Sequence, residues 1–224
     1  QNNQKRKGKT KMADVTSVLD QQGTGGKTYW DETEDKPSVR MPEGNYPAHI
    51  VEVETVERTV KGRYKALIYN YTVKIAEEAK SITFDAVDFD GNTVKVNGGD
   101  YTGRTIRSNG VFKFLHPENG EGFEPYPSGN KGYANFCKVL GTEMPIKTVE
   151  IDGNKVKVRE LPDLTEDDIL GKPVKAIIKY GKPWTSNKDG KTRTYLEVKW
   201  LANWEDGKTI EVDVMSTDNS DLPF

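Results

Sequence analysis

Cysteine, histidine and long apolar runs are what this 224-residue chain has little of. Its one cysteine, Cys137, excludes an intramolecular disulfide. With His49 and His116 as the only histidines, no Cys/His cluster has the spacing of a zinc site. No stretch approaches the ~20 apolar residues that cross a bilayer as a helix. The opening "QNNQKRKGKTK" also lacks the apolar middle of a secretory signal. These absences predict a soluble protein of a reducing compartment, with no structural metal and no cofactor. Charge of a dominant sign is missing too, because the formal net charge is -2. Composition alone therefore selects no acidic or basic partner, and only the distribution of charge carries information. With 34% hydrophobic residues and a mean hydropathy of -0.76, one folded core with polar ends is expected.

Recognisable catalytic motifs are equally scarce. The "QQGTGGKT" stretch ends like a phosphate-binding loop, yet Gln21 stands where that loop needs a glycine. Neither a strand before it nor a helix after it is offered by its neighbours. "DFDGN" from Asp88 imitates part of a calcium loop, but its twelfth position is Gly99, which has no carboxylate, so a plain turn is predicted. Cys137 sits in an apolar helical pattern, the setting of a small core residue rather than a nucleophile. A non-enzymatic protein is the expectation.

What is present is organised charge and alternation. Residues 1–40 read as a flexible arm. Lys5, Arg6, Lys7, Lys9 and Lys11 form a basic block, followed by the acidic "YWDETEDKP"; between them Met12 with "ADVTSVLDQQ" reads as one short amphipathic helix or as an internal start site preceded by extra residues. From Met41 to Val214 the texture is β. "NYPAHIVEVETVERTV" and "YKALIYNYTVKI" form a hairpin across "KGR", with Leu67, Tyr69, Tyr71 and Val73 on one face and Ile68, Asn70, Thr72 and Lys74 on a wetter one. "SITFDAVDFDGNTVKV" and "DYTGRTIRSNGVFKFL" add short strands at Asp-Gly and Asn-Gly turns. "NKGYANFCKVLGT" has helical spacing through Tyr133, Phe136, Cys137 and Leu140, and Gly141 ends it. A hairpin in "KTVEIDGNKVKVREL", a capped turn in "TEDDILGKP" with Thr165 capping and Asp168 in its first turn, the pair "VKAIIKY" and "TYLEVKWLANW", and a last strand "KTIEVDV" follow.

Mainly β, with one helix between the third and fourth principal strands, is the order of an OB-fold, a five-stranded barrel, here with extra hairpins. A β-sandwich gives a similar strand pattern. An OB-fold binds oligonucleotides on its sheet face and on the loops after its first and fourth strands, so those loops decide the functional reading. Single strands need cations along the phosphates and flat rings under the bases. The first loop offers Lys61, Arg63, Tyr64 and Lys65 around Gly62. The fourth, with its strands, offers Lys175, Lys179, Lys182, Trp184, Lys188, Lys191, Arg193 and Tyr195. Trp184 stands in a Gly-, Pro- and Ser-rich stretch with little core to enter, which makes it a stacking platform or a cover over the barrel end. Arg104, Arg107 and Lys113 form a second-rank set. Tyr69, Tyr71, Phe112 and Phe114 are expected in the core, and Trp200 and Trp204 are ambiguous, with Trp200 given no more than a packing role.

The chain closes with "STDNSDLPF". Residues 215–224 read as an acidic tail with an apolar tip, in which Asp218, Asp221, Leu222, Pro223 and Phe224 would dock on another protein. Asp-Leu-Pro-Phe on a single-strand binder resembles the terminal peptide of bacterial and phage single-stranded-DNA-binding proteins. The opening "PEGNYPAHI", the turn Leu170 to Val174 and the central helix are similar to the phage-encoded members over roughly residues 41–214. That resemblance implies coating and protection of single-stranded DNA with little sequence preference, and recruitment of replication and recombination proteins by the tip. It also implies residence in the cytoplasm of an infected bacterial host. A homodimer through a strand edge is compatible with the architecture. The tail departs from the family in carrying few acids. A different class also fits: a protein-interaction or virion-associated β-domain whose basic loops dock an acidic partner.

Overall fold

The computed structural model describes residues 39–115, 127–151 and 153–212. The arm up to residue 38, His116 and residues 213–224, which hold the expected tip from Asp218 to Phe224, lie outside the described residues. The described chain is mainly β, with antiparallel pairing between all named strands.

Strand β1, Gly44–Val60, is the long spine of the molecule. It pairs with β2, Tyr64–Ile75, and through its first residues with β9, Pro173–Tyr180. A register shift between Ile50 and Glu52 bends it where it changes partner. On the far side of β2 stand β5, Thr105–Arg107, and β6, Val111–Phe114, while β12, Leu196–Asn203, flanks β9. The sheet order is therefore β12-β9-β1-β2-β5, with β6 also on β2. A parallel bridge between Ser108 and Val198 joins the two outer members. Three hairpins are peripheral: β3 with β4 (Thr83–Val87 and Thr93–Asn97), β7 with β8 (Ile146–Ile151 and Asn154–Arg159), and the small β10 with β11 (Trp184–Thr185 and Thr192–Arg193).

Period-two alternation builds the core. Tyr46, Ala48 and Ile50 of β1, Tyr69, Tyr71, Val73 and Ile75 of β2, Val174, Ala176 and Ile178 of β9, Ile106 of β5 and Val198 of β12 fall in one buried cluster. Helix α1, Lys131–Val139, closes that cluster with Tyr133, Phe136 and Cys137, and Gly141 ends it with a φ of 74°. Each of its large buried side chains contributes ~1.5–3 kcal/mol. The short α2, Glu166–Ile169, begins at a reciprocal cap, in which the Thr165 N–H donates to the Asp168 carboxylate. That bond, with the Thr165 hydroxyl, holds the Asp168 carboxyl below its ordinary range. Ile169 is fully buried beneath it.

Burial raises the hydroxyls of Tyr46, Tyr71 and Tyr133 well above the ordinary tyrosine range. Their folded pKa lies above the unfolded value of ~10, so the stabilisation is complete below that pH and lost as pH rises beyond it. In an alkaline titration, tyrosinate absorbance is expected to rise first from exposed tyrosines. Tyr46, Tyr71 and Tyr133 should follow in a cooperative step that coincides with unfolding by circular dichroism. Smooth ionisation of every tyrosine with the fold intact would contradict this packing.

Several expectations change. The third principal strand is two pieces, because Ser108 breaks it: its N–H donates to the Tyr71 carbonyl and its Oγ accepts from the Tyr71 and Gly110 N–H groups. Phe112 and Phe114 are only half-buried, since they pair with Ile68 and Ala66 and share the face turned away from the core. They stack on each other at 5.9 Å. Lys113, expected among the surface cations, points inward and is buried. Ile68, placed on the wet face of its hairpin, is covered. "KTIEVDV" forms no strand over its described residues; Ile210 is exposed and its N–H donates to the Gly171 carbonyl. Gly171 has a φ of 71°, and a Cβ there would overlap the Ile210 carbonyl oxygen. Glycine is what permits that close approach.

Candidate nucleic-acid interface

The loop after β1 is a tight turn in which the Arg63 N–H donates to the Val60 carbonyl at 3.2 Å. Lys61 and Gly62 both have positive φ, 52° and 71°, the geometry that matches strand twist in a short hairpin. Among the described residues Lys61 is the one non-glycine in this region. Asparagine suits that conformation better. Lys61→Asn is therefore expected to raise stability by up to ~1 kcal/mol while removing a cation. If the turn lies on a phosphate path, thermal denaturation will shift upward as the logarithmic salt dependence of single-strand binding flattens by ~0.7 for each phosphate no longer neutralised. An unchanged slope would take this turn off the path.

Its neighbours are less free than their sequence suggests. Lys65 meets Glu57 at 3.5 Å. Arg63 lies over the Tyr64 ring, 5.0 Å from its centre. Tyr64 is buried, so its expected place on an exposed interface is corrected: the ring is covered on its own hairpin and presents no face for stacking.

The connection between β9 and β12 is richer. Its hairpin carries Trp184 at one edge, 47% exposed, stacked on Tyr195, 57% exposed, with ring centres 6.0 Å apart. The tryptophan does not fold over the core. A turn built on Ser186 and Asp189 shapes the tip, since the Lys188 N–H donates to Ser186 Oγ and the Lys191 N–H to Asp189. Asp189 also takes both terminal nitrogens of Arg193 in a fork, which holds its carboxyl down to about 2. Lys182, Lys188 and Lys191 are exposed and meet no carboxylate within ion-pair range among the described residues.

On β9 the two faces follow the alternation: Val174, Ala176 and Ile178 are fully buried, and Lys175 and Lys179 project outward. Trp200 joins this surface, contrary to a packing role. The register shift between Val198 and Trp200 places it opposite Ile177, on the outer side of β12, where it is 65% exposed. Trp204 is the packed member, buried beside His49. Between β6, β12 and the start of α1 lies a cleft of about 460 Å³, lined by Phe112, Phe114, Phe136, Trp200 and Leu201 among others. The Asn130 side-chain amide fixes one of the lining residues by pairing both the N–H and the carbonyl of Phe114. Spacing along the chain holds no sign of this cleft, because it forms from strands far apart in the sequence; the aromatic content of "VFKF" and "KWL" is the one signal the letters offer.

Arg107 is engaged by Glu54 at 3.5 Å, and Glu197 by Lys199 and Asn109. Arg104 is exposed just ahead of β5. No family model matches the chain, and searches of curated proteins and of solved structures found no match either. Among the described residues no helix is long and apolar enough to cross a membrane.

Proposed function

We propose that this chain binds single-stranded nucleic acid, with DNA as its expected substrate, through an OB-fold, without catalysing a reaction on it. One observation carries the reading. Among the described residues four aromatic side chains are exposed, and three of them, Trp184, Tyr195 and Trp200, belong to the single segment from β10 to β12 beside the lysine track of β9. Exposing large rings next to cations is unfavourable for a surface that meets only water, and it is what a stacked, charged strand needs. Each base stacked on such a ring contributes ~1–3 kcal/mol.

The fold reading draws support from the strand order, from a parallel bridge between the outer members, and from a helix between the third and fourth principal strands. In that arrangement the turn at Lys61 and the hairpin at Trp184 stand at opposite ends of the β5–β6 edge, the two walls of an oligonucleotide track. Recruitment of replication and recombination enzymes would fall to the tip at Leu222, Pro223 and Phe224 and rests on the resemblance alone. Residence in the cytoplasm of an infected bacterium and a strand-edge homodimer rest on the same footing.

Fluorescence anisotropy with a labelled mixed-sequence single strand, its duplex and a polyglutamate peptide tests the class of ligand. The expected result is tight binding of the single strand that weakens steeply with salt, and weak binding of the other two. Preference for the acidic peptide would replace this reading with a protein-docking role for the same basic loops.

A further inference from the structure

We propose that a second cleft, at the other end of the β5–β12 seam from Phe112, is a phosphate-binding subsite that seats the backbone of a strand whose base stacks on Trp184 and Tyr195. The proposal rests on the nucleic-acid reading above for the identity of the strand. The cleft has a volume of about 590 Å³ and lies where β12 begins, against the chain just ahead of β1. Arg40, Arg104 and Arg193 all line it, and among the described residues no carboxylate does. Three guanidiniums around one concavity repel one another, and a guanidinium is only weakly hydrated, so the arrangement favours an oxyanion able to accept the forked donors of Arg40 and Arg104.

Its walls are held in place by the fold. The Tyr180 hydroxyl donates to the Met41 carbonyl at 3.0 Å, and the Tyr180 N–H donates to the Glu43 carboxylate at 2.8 Å. A bridge between Val39 and Asp88 fixes the same stretch from its other side. Arg40 is thereby carried on a tethered segment. Arg193 is oriented by its fork on Asp189, which leaves its charge shared, so Arg40 and Arg104 supply most of the field. Tyr195 lines the cleft and is also one half of the stacked pair with Trp184. A phosphate seat and a base platform thus lie side by side, as the repeating unit of a nucleic-acid strand needs. From the letters alone Arg104 ranks second and Arg40 falls within the arm, because the cleft forms only where four stretches of chain meet.

The test compares the intact protein with an Arg40→Ala/Arg104→Ala variant. Both side chains are exposed, so the variant should keep its melting temperature. The first measurement is affinity for an unphosphorylated single strand against salt concentration. The variant should neutralise about one to two fewer phosphates, flattening the logarithmic slope by ~0.7 for each. The second is the amide spectrum of Thr192 to Leu196 on addition of inorganic phosphate, which should shift in the intact protein and not in the variant. A strand carrying a 5′-phosphate separates the sources: equal affinity means an internal phosphodiester is seated, and tighter binding means the terminal group is. Phosphate-dependent shifts in a protein that binds no single strand would sink the nucleic-acid reading and leave the subsite standing. An identical salt slope in both proteins, with no phosphate-induced shift, overturns the subsite.

Discussion

Replacing Trp184 and Trp200 together by alanine is expected to weaken single-strand binding by ~2–6 kcal/mol, the combined effect of removing two stacking platforms. Even the lower end is roughly a thirty-fold loss. The two rings occupy different places, one on the hairpin after β9 and one on the outer side of β12, and Tyr195 is the partner of only the first. Each single variant should therefore show part of the effect. Because neither side chain packs into the core, their removal should change folding stability by no more than ~0.5 kcal/mol. Anisotropy titrations and melting curves of the two single variants and the double separate these quantities. A double variant that binds normally would take both rings out of the interface, and a collapsed melting curve would make them structural.

The second large effect is expected on stability. Lys113 is 8% exposed, and its ammonium donates to the carbonyls of Leu161 and Pro162 at 3.3 and 3.0 Å and to the Asp163 carboxylate. It also lies 5.4 Å from the centre of the Tyr133 ring, whose hydroxyl donates to the same Pro162 carbonyl at 2.7 Å. One cation thus fastens the segment before α2 to the helix and to β6. Lys113→Ala would leave the Leu161 carbonyl without its donor, the Pro162 carbonyl with only the Tyr133 hydroxyl, and a cavity where the stem packed, at ~2–4 kcal/mol. In a domain of this size that corresponds to a melting temperature lower by ~5–15 °C. Lys113→Met keeps the stem and should lose less. Asp163→Asn should cost under ~1 kcal/mol, because that carboxylate is mostly in water. Equal losses for Lys113→Ala and Asp163→Asn would mean the ion pair, not the carbonyl bonds, does the fastening.

Lys113 also shows where the chain could be read and where it could not. Alternation announces that Val111 to Phe114 is a strand, and it is. Which side of that strand faces the core depends on its register against β2, and one step of register exchanges the faces. Pairing of Phe112 with Ile68 decides it, a contact that no local pattern encodes. Trp200 is opaque for a related reason, since the register shift beside Val198 turns a residue that alternation leaves undecided. By contrast, α1, the cap at Thr165, the Asp88 turn and the two faces of β9 rest on local periodicity or turn chemistry, and they stand where the letters place them. The candidate site divides likewise. Trp184 and its lysines are legible because the loop composition around them offers no core. The carboxylates that engage Arg107, Lys65 and Lys199, and the convergence of Arg40 with Arg104 and Arg193, come from the three-dimensional arrangement.

Tryptophan emission of the intact protein during titration with a single strand and with the matching duplex, at low and moderate salt, bears most directly on the central claim. Stacking on Trp184 and Trp200 predicts quenching that saturates with the single strand, is relieved by salt, and is absent or slight with the duplex. Emission that responds to neither, at concentrations where anisotropy also finds no binding, would contradict single-strand binding by this surface.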